Sequence, residues 1–198
     1  KQFNHTDIHR VVSRIPGVYV QEEDGLGLRP NIGIRGTGLE RMEKLNVMED
    51  GIIIAPAPYA SPAAYYSPTM GRMQGLEVRK GSTQIKHGPF TTGGSLNYIS
   101  TAIPTSSLNS VDFMAGSFGK TVLHVKSGNT MGQWGYLFEV YNDMTDGFKE
   151  LDGGGNTGYT KTDVMAKVRY AMSANHAVEM KYSMTDEISD ETYLGLSD

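Results

Sequence analysis

Two arginines could carry a specific interaction, because each of them ends a short apolar segment. Arg35 follows Asn31–Ile34, and Arg79 follows Leu76–Val78. A guanidinium buried at the end of an apolar strand needs carboxylate partners, which it can bind through two parallel hydrogen bonds. The alternative is a surface arginine whose alkyl chain covers apolar neighbours while its charge reaches water. The residues alone leave both interpretations open.

The side chains that usually carry catalysis or bind metals form no recognisable constellation. The five histidines lack metal-ligand spacing, and the eleven methionines are scattered. Asp143, Asp146 and Asp152 lack the ligand pattern of a calcium loop. Gly25-Leu26-Gly27 has neither the lysine nor the following helix of a phosphate loop, and no serine stands in a nucleophile elbow. We therefore expect no catalytic residue, no metal site, no bound cofactor and no enzyme activity.

The elements around the two arginines are predicted to be short strands separated by glycine. Asp50-Gly51 lies between Leu45–Glu49 and Ile52–Ala55 and predicts a hairpin, because a two-residue primed turn needs positive φ. Further strands are expected at Val18–Val20 and Ser95–Ser100. This frequency of glycine indicates a compact sheet whose backbone is closely approached by other groups.

Two short helices are expected in the same part of the chain. The first has apolar residues at helical spacing, with Thr6 as its N-cap and Pro16-Gly17 at its end. The second is bracketed by Ser67 as N-cap, Pro68 at the first helical position and Gly75 just past the end.

Beyond Pro104 the pattern changes to strict alternation of apolar and polar residues. Residues 136–141, 163–170 and 178–185 each have one apolar face and one charged or mixed face. Short connections alternate with the long segment Asp143–Thr160, which is typical of an outer-membrane barrel. About five strands are expected, and five cannot close a barrel, since even the smallest needs about eight. They are centred near Val111, Val122, Tyr136, Val164 and Val178.

Composition excludes some classes of function. The net charge of −4 and the pI near 5.7 argue against nucleic-acid binding, which requires a basic face. The chain has no cysteine, and therefore neither a disulfide framework nor a thiolate metal site. No apolar run approaches the roughly 20 residues that a membrane-spanning helix needs.

The glycine-marked series in the first half of the chain resembles the plug domain of TonB-dependent outer-membrane receptors. Its motifs follow the family's order and spacing, and the ordered set is far more specific than any one motif. Ala55–Tyr59 and Glu191–Leu196 are most similar to the ferric dicitrate-type receptors. The motifs are Arg14-Ile15-Pro16-Gly17-Val18, Ile34-Arg35-Gly36, Glu49-Asp50-Gly51, Val78-Arg79-Lys80-Gly81, His87-Gly88-Pro89 and Gly93–Ile99.

The resemblance implies an α+β plug, a small mixed sheet with short helices, at residues 1–104. Residues 105–198 would be the N-terminal antiparallel strands of an incomplete transmembrane β-barrel in the outer membrane of a Gram-negative bacterium. Such a receptor takes up a ferric chelate, either ferric citrate or a siderophore, and iron enters only as part of that chelate. The implied partners are outer-membrane lipid and TonB, which would act through an N-terminal box not present in this chain.

The resemblance also implies roles for particular residues. Arg35 and Arg79 would lock the plug to glutamates of the barrel wall, which would lie downstream of Asp198. Two loops would face outward, the first loop (Glu22–Arg29) and the second loop (Pro56–Tyr66). The expected ligand-binding residues are Arg29, Tyr59, Ser61, Tyr65 and Tyr66.

Two alternatives remain at this stage. The tyrosines of the second loop could simply pack that loop against the sheet instead of binding ligand. On the first loop, the side chains of Glu22, Glu23 and Asp24 would repel a polyanionic chelate unless they are turned away. The whole chain could instead be a secreted β-rich module that binds glycans or a partner protein. Such a module would be soluble without detergent.

Overall fold

The computed structural model describes residues 6–54, 66–81, 92–149 and 153–190. The chain divides into two compact units, residues 1–101 and residues 102–198. Within the described part, no helix is both long and apolar enough to cross a membrane. The sequence also predicts a helical turn at Ser82–Lys86, and these residues lie outside the described part of the chain.

The first helix, α1 (Ile8–Val12), is shorter than predicted and has a different N-cap. Asp7, not Thr6, caps it, because the Asp7 carboxylate accepts a hydrogen bond from the His9 N–H at 2.8 Å. The helix ends at Val12 rather than near Pro16, since the Ile15 N–H already bonds the Val12 carbonyl in a tighter turn. Ile8 and Val12 are nevertheless buried, as their spacing predicted.

The described part of the first unit contains six short strands besides α1. β1 and β2 make an antiparallel ribbon, in which Val18 pairs with Ile34. The other four form a mixed sheet of order β4-β3-β6-β5, in which only β3 and β6 are parallel. The strands are β1 (Val18–Gln21), β2 (Asn31–Ile34), β3 (Leu45–Glu49), β4 (Ile52–Ile53), β5 (Gly75–Arg79) and β6 (Gly94–Ile99).

The predicted hairpin between β3 and β4 is present. Asp50 and Gly51 both have positive φ, 51° and 82°, as a primed turn requires. The Asp50 carboxylate accepts the Ser100 N–H at 2.9 Å, and the Gly51 N–H donates to the Asn97 side chain at 2.8 Å. The tip of the hairpin is thereby fixed to the end of β6.

The predicted helix between Ser67 and Gly75 is reduced to one 3-10 turn, Met70–Arg72. Its N-cap is Thr69 rather than Ser67. Gly75 does not follow a helix end but begins β5, where it pairs with Ile99. The Gln74 N–H already bonds the Ile99 carbonyl at 2.9 Å, so pairing with β6 begins where the capping signals place the end of the helix.

The core of the first unit lies between α1, the ribbon and the mixed sheet. Its described members are buried apolar side chains, and among these Tyr98 is the only aromatic. They are Ile8, Val12, Val18, Ile32, Ile34, Met42, Leu45, Val47, Met70, Met73, Leu96 and Tyr98.

The second unit is one antiparallel five-stranded sheet, here called the wall sheet. All five predicted strands are present, and each pairs with its neighbours in the sequence. Two-residue turns separate β8 from β9 and β10 from β11, whereas the β9–β10 connection spans residues 146–158. The strands are β7 (Leu108–Ala115), β8 (Thr121–Met131), β9 (Trp134–Thr145), β10 (Tyr159–Ser173) and β11 (His176–Ser189).

The two faces of the wall sheet invert the arrangement of a soluble sheet. One face, here called the outer face, exposes large apolar side chains; Phe138 and Met180, for example, are 45% and 73% exposed. The opposite, inner face buries charged residues, among them Glu139, Asp143 and Lys161. In a soluble antiparallel sheet the apolar face is packed and the polar face meets water. The predicted period-two alternation is thus confirmed.

The segment that leads into β7 is seated on two glycines of the inner face. A Cβ at Gly128 would lie 2.8 Å from the Pro104 ring, and a Cβ at Gly135 would lie 2.9 Å from Ile103. The Thr130 hydroxyl donates to the Pro104 carbonyl at 2.7 Å. The linker and the first strands are therefore in close contact, which only glycine permits at these two positions.

Candidate functional site

The first loop is organised around the carboxylate of Asp24. Oδ1 accepts the N–H groups of Leu26 and Gly27 at 2.6 and 2.7 Å. Oδ2 accepts those of Leu28 and Arg29 at 3.0 and 3.1 Å. A carboxylate offers about four lone-pair positions, and here four backbone donors meet them. The negative charge of Asp24 is therefore directed into its own loop.

The other two acids of the loop are paired with arginines. Glu23 accepts from the Arg41 guanidinium at 2.7 Å, and its second oxygen accepts from the Asn31 amide at 2.9 Å. Glu22 lies 3.4 Å from the guanidinium of Arg10, in an exposed pair of small energetic weight. The repulsion expected for a polyanion is thus reduced by the way the loop is folded.

Arg41 links the first loop to the body of the unit. Its N–H donates to the Asn31 side chain at 2.8 Å, and its guanidinium donates to the Arg29 carbonyl at 3.3 Å. Arg41 and Met42 have φ values of 47° and 56°, a conformation that non-glycine residues seldom adopt. The Met42 side chain is fully buried and therefore anchors this strained turn in the core.

Arg29, the ligand-binding residue predicted on this loop, is half-buried and held through its backbone. Asp24 binds its N–H and Arg41 binds its carbonyl. The Arg29 guanidinium also donates to the Leu28 carbonyl at 3.2 Å. The backbone of Arg29 is therefore held by Asp24 and Arg41, and its guanidinium is held by the Leu28 carbonyl.

The first loop rests on the beginning of α1. A Cβ at Gly27, which has a φ of 80°, would lie 2.5 Å from the Asp7 carboxylate. Partial burial acts to raise the pKa of Asp7, but hydrogen bonds from His9 and the nearby Arg10 charge outweigh it and lower the pKa below its ordinary value. Asp7 therefore remains a carboxylate wherever the protein is folded near neutral pH.

Only one of the residues predicted on the second loop falls within the described part of the chain. That residue is Tyr66, which is half-buried. Burial raises the pKa of Tyr98 far above its ordinary value. Tyr59, Ser61 and Tyr65 lie outside the described residues.

Of the two arginines of the predicted lock, Arg35 directly follows β2 and Arg79 ends β5. Arg35 is exposed, has a φ of 57°, and places its guanidinium 3.4 Å from where a Cβ of Gly81 would be. Arg79 is half-buried and lies 3.7 Å from Glu77. Gly81 is two residues beyond Arg79, so both arginines belong to one corner of the first unit. Their binding to wall glutamates stays a prediction.

Sequence reasoning missed a buried ion pair in the first unit. The Arg72 guanidinium, 1% exposed, donates to both carboxylate oxygens of Glu49 at 3.1 and 3.2 Å. A signal was available, because Arg72 stands between buried Met70 and Met73 and a charge among apolar residues requires a partner.

The inner face of the wall sheet carries a second group of polar contacts that the sequence did not indicate. Lys120 bonds the Asp143 carboxylate and donates to the Tyr159 hydroxyl at 2.6 Å. His124 and Glu139 are joined at 2.6 Å on neighbouring strands. Among the described residues, no cluster of three or more histidine, aspartate or glutamate side chains could hold a metal ion.

The first part of the chain matches a known family. Residues 1–95 match the family described as "TonB-dependent Receptor Plug Domain". A curated relative, the vitamin B12 transporter BtuB of Photobacterium profundum, is 30% identical over 166 residues, which are 81% of this chain and 26% of that protein. This chain therefore spans about a quarter of the length of that relative.

Two solved structures share the fold of both units. The ferric citrate transporter FecA in its unliganded form has a TM-score of 0.77 and 24% identity, over 94% of this chain and 29% of that chain. The ferripyoverdine receptor of the outer membrane of Pseudomonas aeruginosa has a TM-score of 0.73 and 19% identity, over 91% and 23%. The predicted fold class, a mixed-sheet plug followed by strands of an unclosed barrel, is confirmed.

Proposed function

Because this chain belongs to the TonB-dependent receptors, with the plug domain in residues 1–95, we propose that the protein takes up a ferric chelate through a gated pore. It is an outer-membrane protein of a Gram-negative bacterium, like the receptors to which it is similar. TonB is the proposed partner and would act on a segment N-terminal to the plug. No covalent step is involved, since ligand and TonB would only shift the populations of plug conformations.

The observation that supports this function best is the inversion of the wall sheet. Exposed Phe138, Val178 and Met180 form an apolar surface that suits lipid, while Glu139, Asp143 and Lys161 are buried on the opposite face. A secreted glycan- or protein-binding module would instead pack its apolar face and hydrate its charges. We therefore favour transport over the soluble alternative.

We place the ligand on the plug loops, with Arg29 from the first loop and Tyr59, Ser61, Tyr65 and Tyr66 from the second. Hydroxyl donors and a guanidinium suit an anionic ferric chelate. The first loop supports this choice because the acids that would oppose an anion are occupied by backbone N–H groups and arginines.

A corrinoid is the second candidate ligand. The similarity to a protein named as a vitamin B12 transporter favours it. A corrinoid does not carry the multiple negative charges of ferric dicitrate and would depend less on Arg29. The two candidates therefore differ in the expected contribution of that arginine.

Equilibrium binding to the purified full-length receptor tests the proposal. We expect saturable binding of ferric dicitrate or another ferric chelate, weakened by Tyr59→Ala, Ser61→Ala and Tyr66→Ala. Tyr19→Ala, which removes an exposed tyrosine of β1, is the matched control and should bind normally. Binding of cyanocobalamin alone would replace the ferric chelate by a corrinoid. Unchanged affinity in all three loop variants would remove the second loop from the site.

A further inference from the structure

Several hydrogen bonds of the first loop converge on the backbone of Arg29. Asp24 holds the N–H of Arg29 and Arg41 holds its carbonyl. Glu23 and Asn31 in turn hold Arg41, at 2.7 Å to its guanidinium and 2.8 Å to its N–H. The backbone of Arg29 is thus bracketed from both sides.

These hydrogen bonds around Arg29 are formed although the backbone of Arg41 and Met42 is in an unfavourable conformation. Arg41 and Met42 occupy the left-handed region in succession, a conformation that is unfavourable for residues other than glycine. Strain of this kind persists only where surrounding contacts determine the conformation, and it is concentrated at functional sites. Here those contacts are the buried Met42 side chain and the hydrogen bonds of Arg41 to Asn31, Glu23 and Arg29.

We propose that Asp24 and Arg41 are positioning residues, which hold the first loop and Arg29 in the conformation that binds ligand. This inference rests on the proposed function. The Asp24 carboxylate accepts hydrogen bonds from four backbone N–H groups, which fixes the shape of the loop. The same bonds direct its negative charge away from the ligand. Arg41 acts by fixing the Arg29 carbonyl while its own charge is balanced by Glu23.

The proposal makes the loop a preformed part of the site. A loop already ordered in the free receptor loses less conformational entropy when ligand binds, so loss of the bracket should appear as weaker affinity. The maximal rate of transport depends on later plug movement and should not change. A merely structural role would instead lower the amount of folded receptor and the maximal rate together.

The substitutions separate the shape of Asp24 from its charge. Asp24→Ala removes all four hydrogen bonds, whereas Asp24→Asn keeps one carbonyl oxygen and should retain those of Leu26 and Gly27. Arg41→Lys keeps the charge beside Glu23 but cannot present the same fork of donors to Arg29. Glu40→Ala is the control, because Glu40 is an exposed acid adjacent to Arg41.

The experiment measures uptake of labelled ferric dicitrate, and in a parallel arm cyanocobalamin, by cells that make the full-length receptor. Amide hydrogen exchange of residues 26–29 is measured on the same purified variants. We expect Asp24→Ala to raise KM by about tenfold, since it removes several hydrogen bonds to a charged acceptor. Asp24→Asn and Arg41→Lys should fall between Asp24→Ala and wild type, with the maximal rate unchanged. Protection of the loop amides should fall in the same order, and Glu40→Ala should match wild type.

The outcomes separate the inference from the proposed function. Uptake by wild type with an unchanged KM in Asp24→Ala would overturn the positioning role and leave the function standing. A fall in maximal rate equal to the change in KM would also overturn it. A wild-type receptor that transports neither probe would refute the proposed function and the positioning role together.

Discussion

The carboxylate of Glu49 and the guanidinium of Arg72 form an ion pair inside the plug, with both side chains less than a tenth exposed. Glu49 closes β3, and Arg72 closes the 3-10 turn that precedes β5. The pair therefore connects β3, one of the two central strands of the mixed sheet, to the 3-10 turn before β5.

Arg72→Ala should destabilise the plug strongly, because it leaves the Glu49 carboxylate buried without its charged partner. Removing one member of a buried pair costs roughly 3–5 kcal/mol. Hydrogen exchange of the β3 and β6 amides in the full-length receptor measures this. Lys44→Ala, which removes a surface cation beside Glu43, is the control and should change little. Equal protection in Arg72→Ala and Lys44→Ala would show that the pair contributes nothing.

The proposed lock of the plug to the barrel wall predicts a different pattern. Arg35→Ala or Arg79→Ala in the full-length receptor should loosen the plug as a whole, by roughly 3–5 kcal/mol if each arginine is buried against glutamates there. Exchange of plug amides should rise in both variants, with the barrel strands unaffected. The lock is wrong if both variants exchange like wild type.

The glycines beneath the linker provide a steric prediction. A Cβ at Gly128 would lie 2.8 Å from both the Pro104 ring and the Tyr136 carbonyl oxygen. Because a backbone atom cannot move aside cheaply, Gly128→Ala should lower the thermal stability of the detergent-solubilised receptor, by about 1–3 kcal/mol. Gly153→Ala is the control, since a Cβ there meets nothing within 4 Å. Equal melting temperatures for the two variants would contradict the close packing of linker and strand.

If Phe138 faces lipid, the destabilisation caused by a charged residue on this face should depend on how deep in the membrane the residue lies. Phe138→Arg puts a charge near the middle of β9, where it should destabilise the receptor in lipid by about 2–4 kcal/mol. Thr160→Arg puts the same charge on the same face near the end of β10, where the cost is about 0–1 kcal/mol. Unfolding by denaturant in lipid vesicles measures both. A larger effect at Thr160 than at Phe138 would mean that this face is not turned to lipid.

Periodicity and turn chemistry were sufficient to predict the strands. The alternation of apolar and charged residues around Phe138 and Val164 predicted the wall sheet, and Asp50-Gly51 predicted the hairpin, because both signals are local. The helix between Ser67 and Gly75 was wrong because pairing of Gly75 with Ile99, a tertiary contact, used residues that capping signals had assigned to a helix. Local propensity is regularly overridden in this way.

The candidate site was less accessible to sequence reasoning. From the sequence, the acids of the first loop would repel a polyanion unless they were turned away, and the structure shows that Asp24 is turned inward to four backbone N–H groups. That arrangement depends on the conformation of the loop. The positive φ of Arg41 could not be predicted either, because arginine is not a residue type that favours this conformation. The Glu49–Arg72 pair joins residues that are 23 positions apart and on different elements. Contacts of that range cannot be read from spacing alone.

The most direct test of the account is uptake of labelled ferric dicitrate by cells that make the full-length receptor, with TonB present and with TonB deleted. The account predicts saturable uptake that requires TonB. It also predicts that Arg29→Ala weakens this uptake by raising KM. Cyanocobalamin, measured in the same cells, should be transported less efficiently. Uptake of the ferric chelate at the same rate without TonB, or no uptake of any ferric chelate in its presence, would contradict the account.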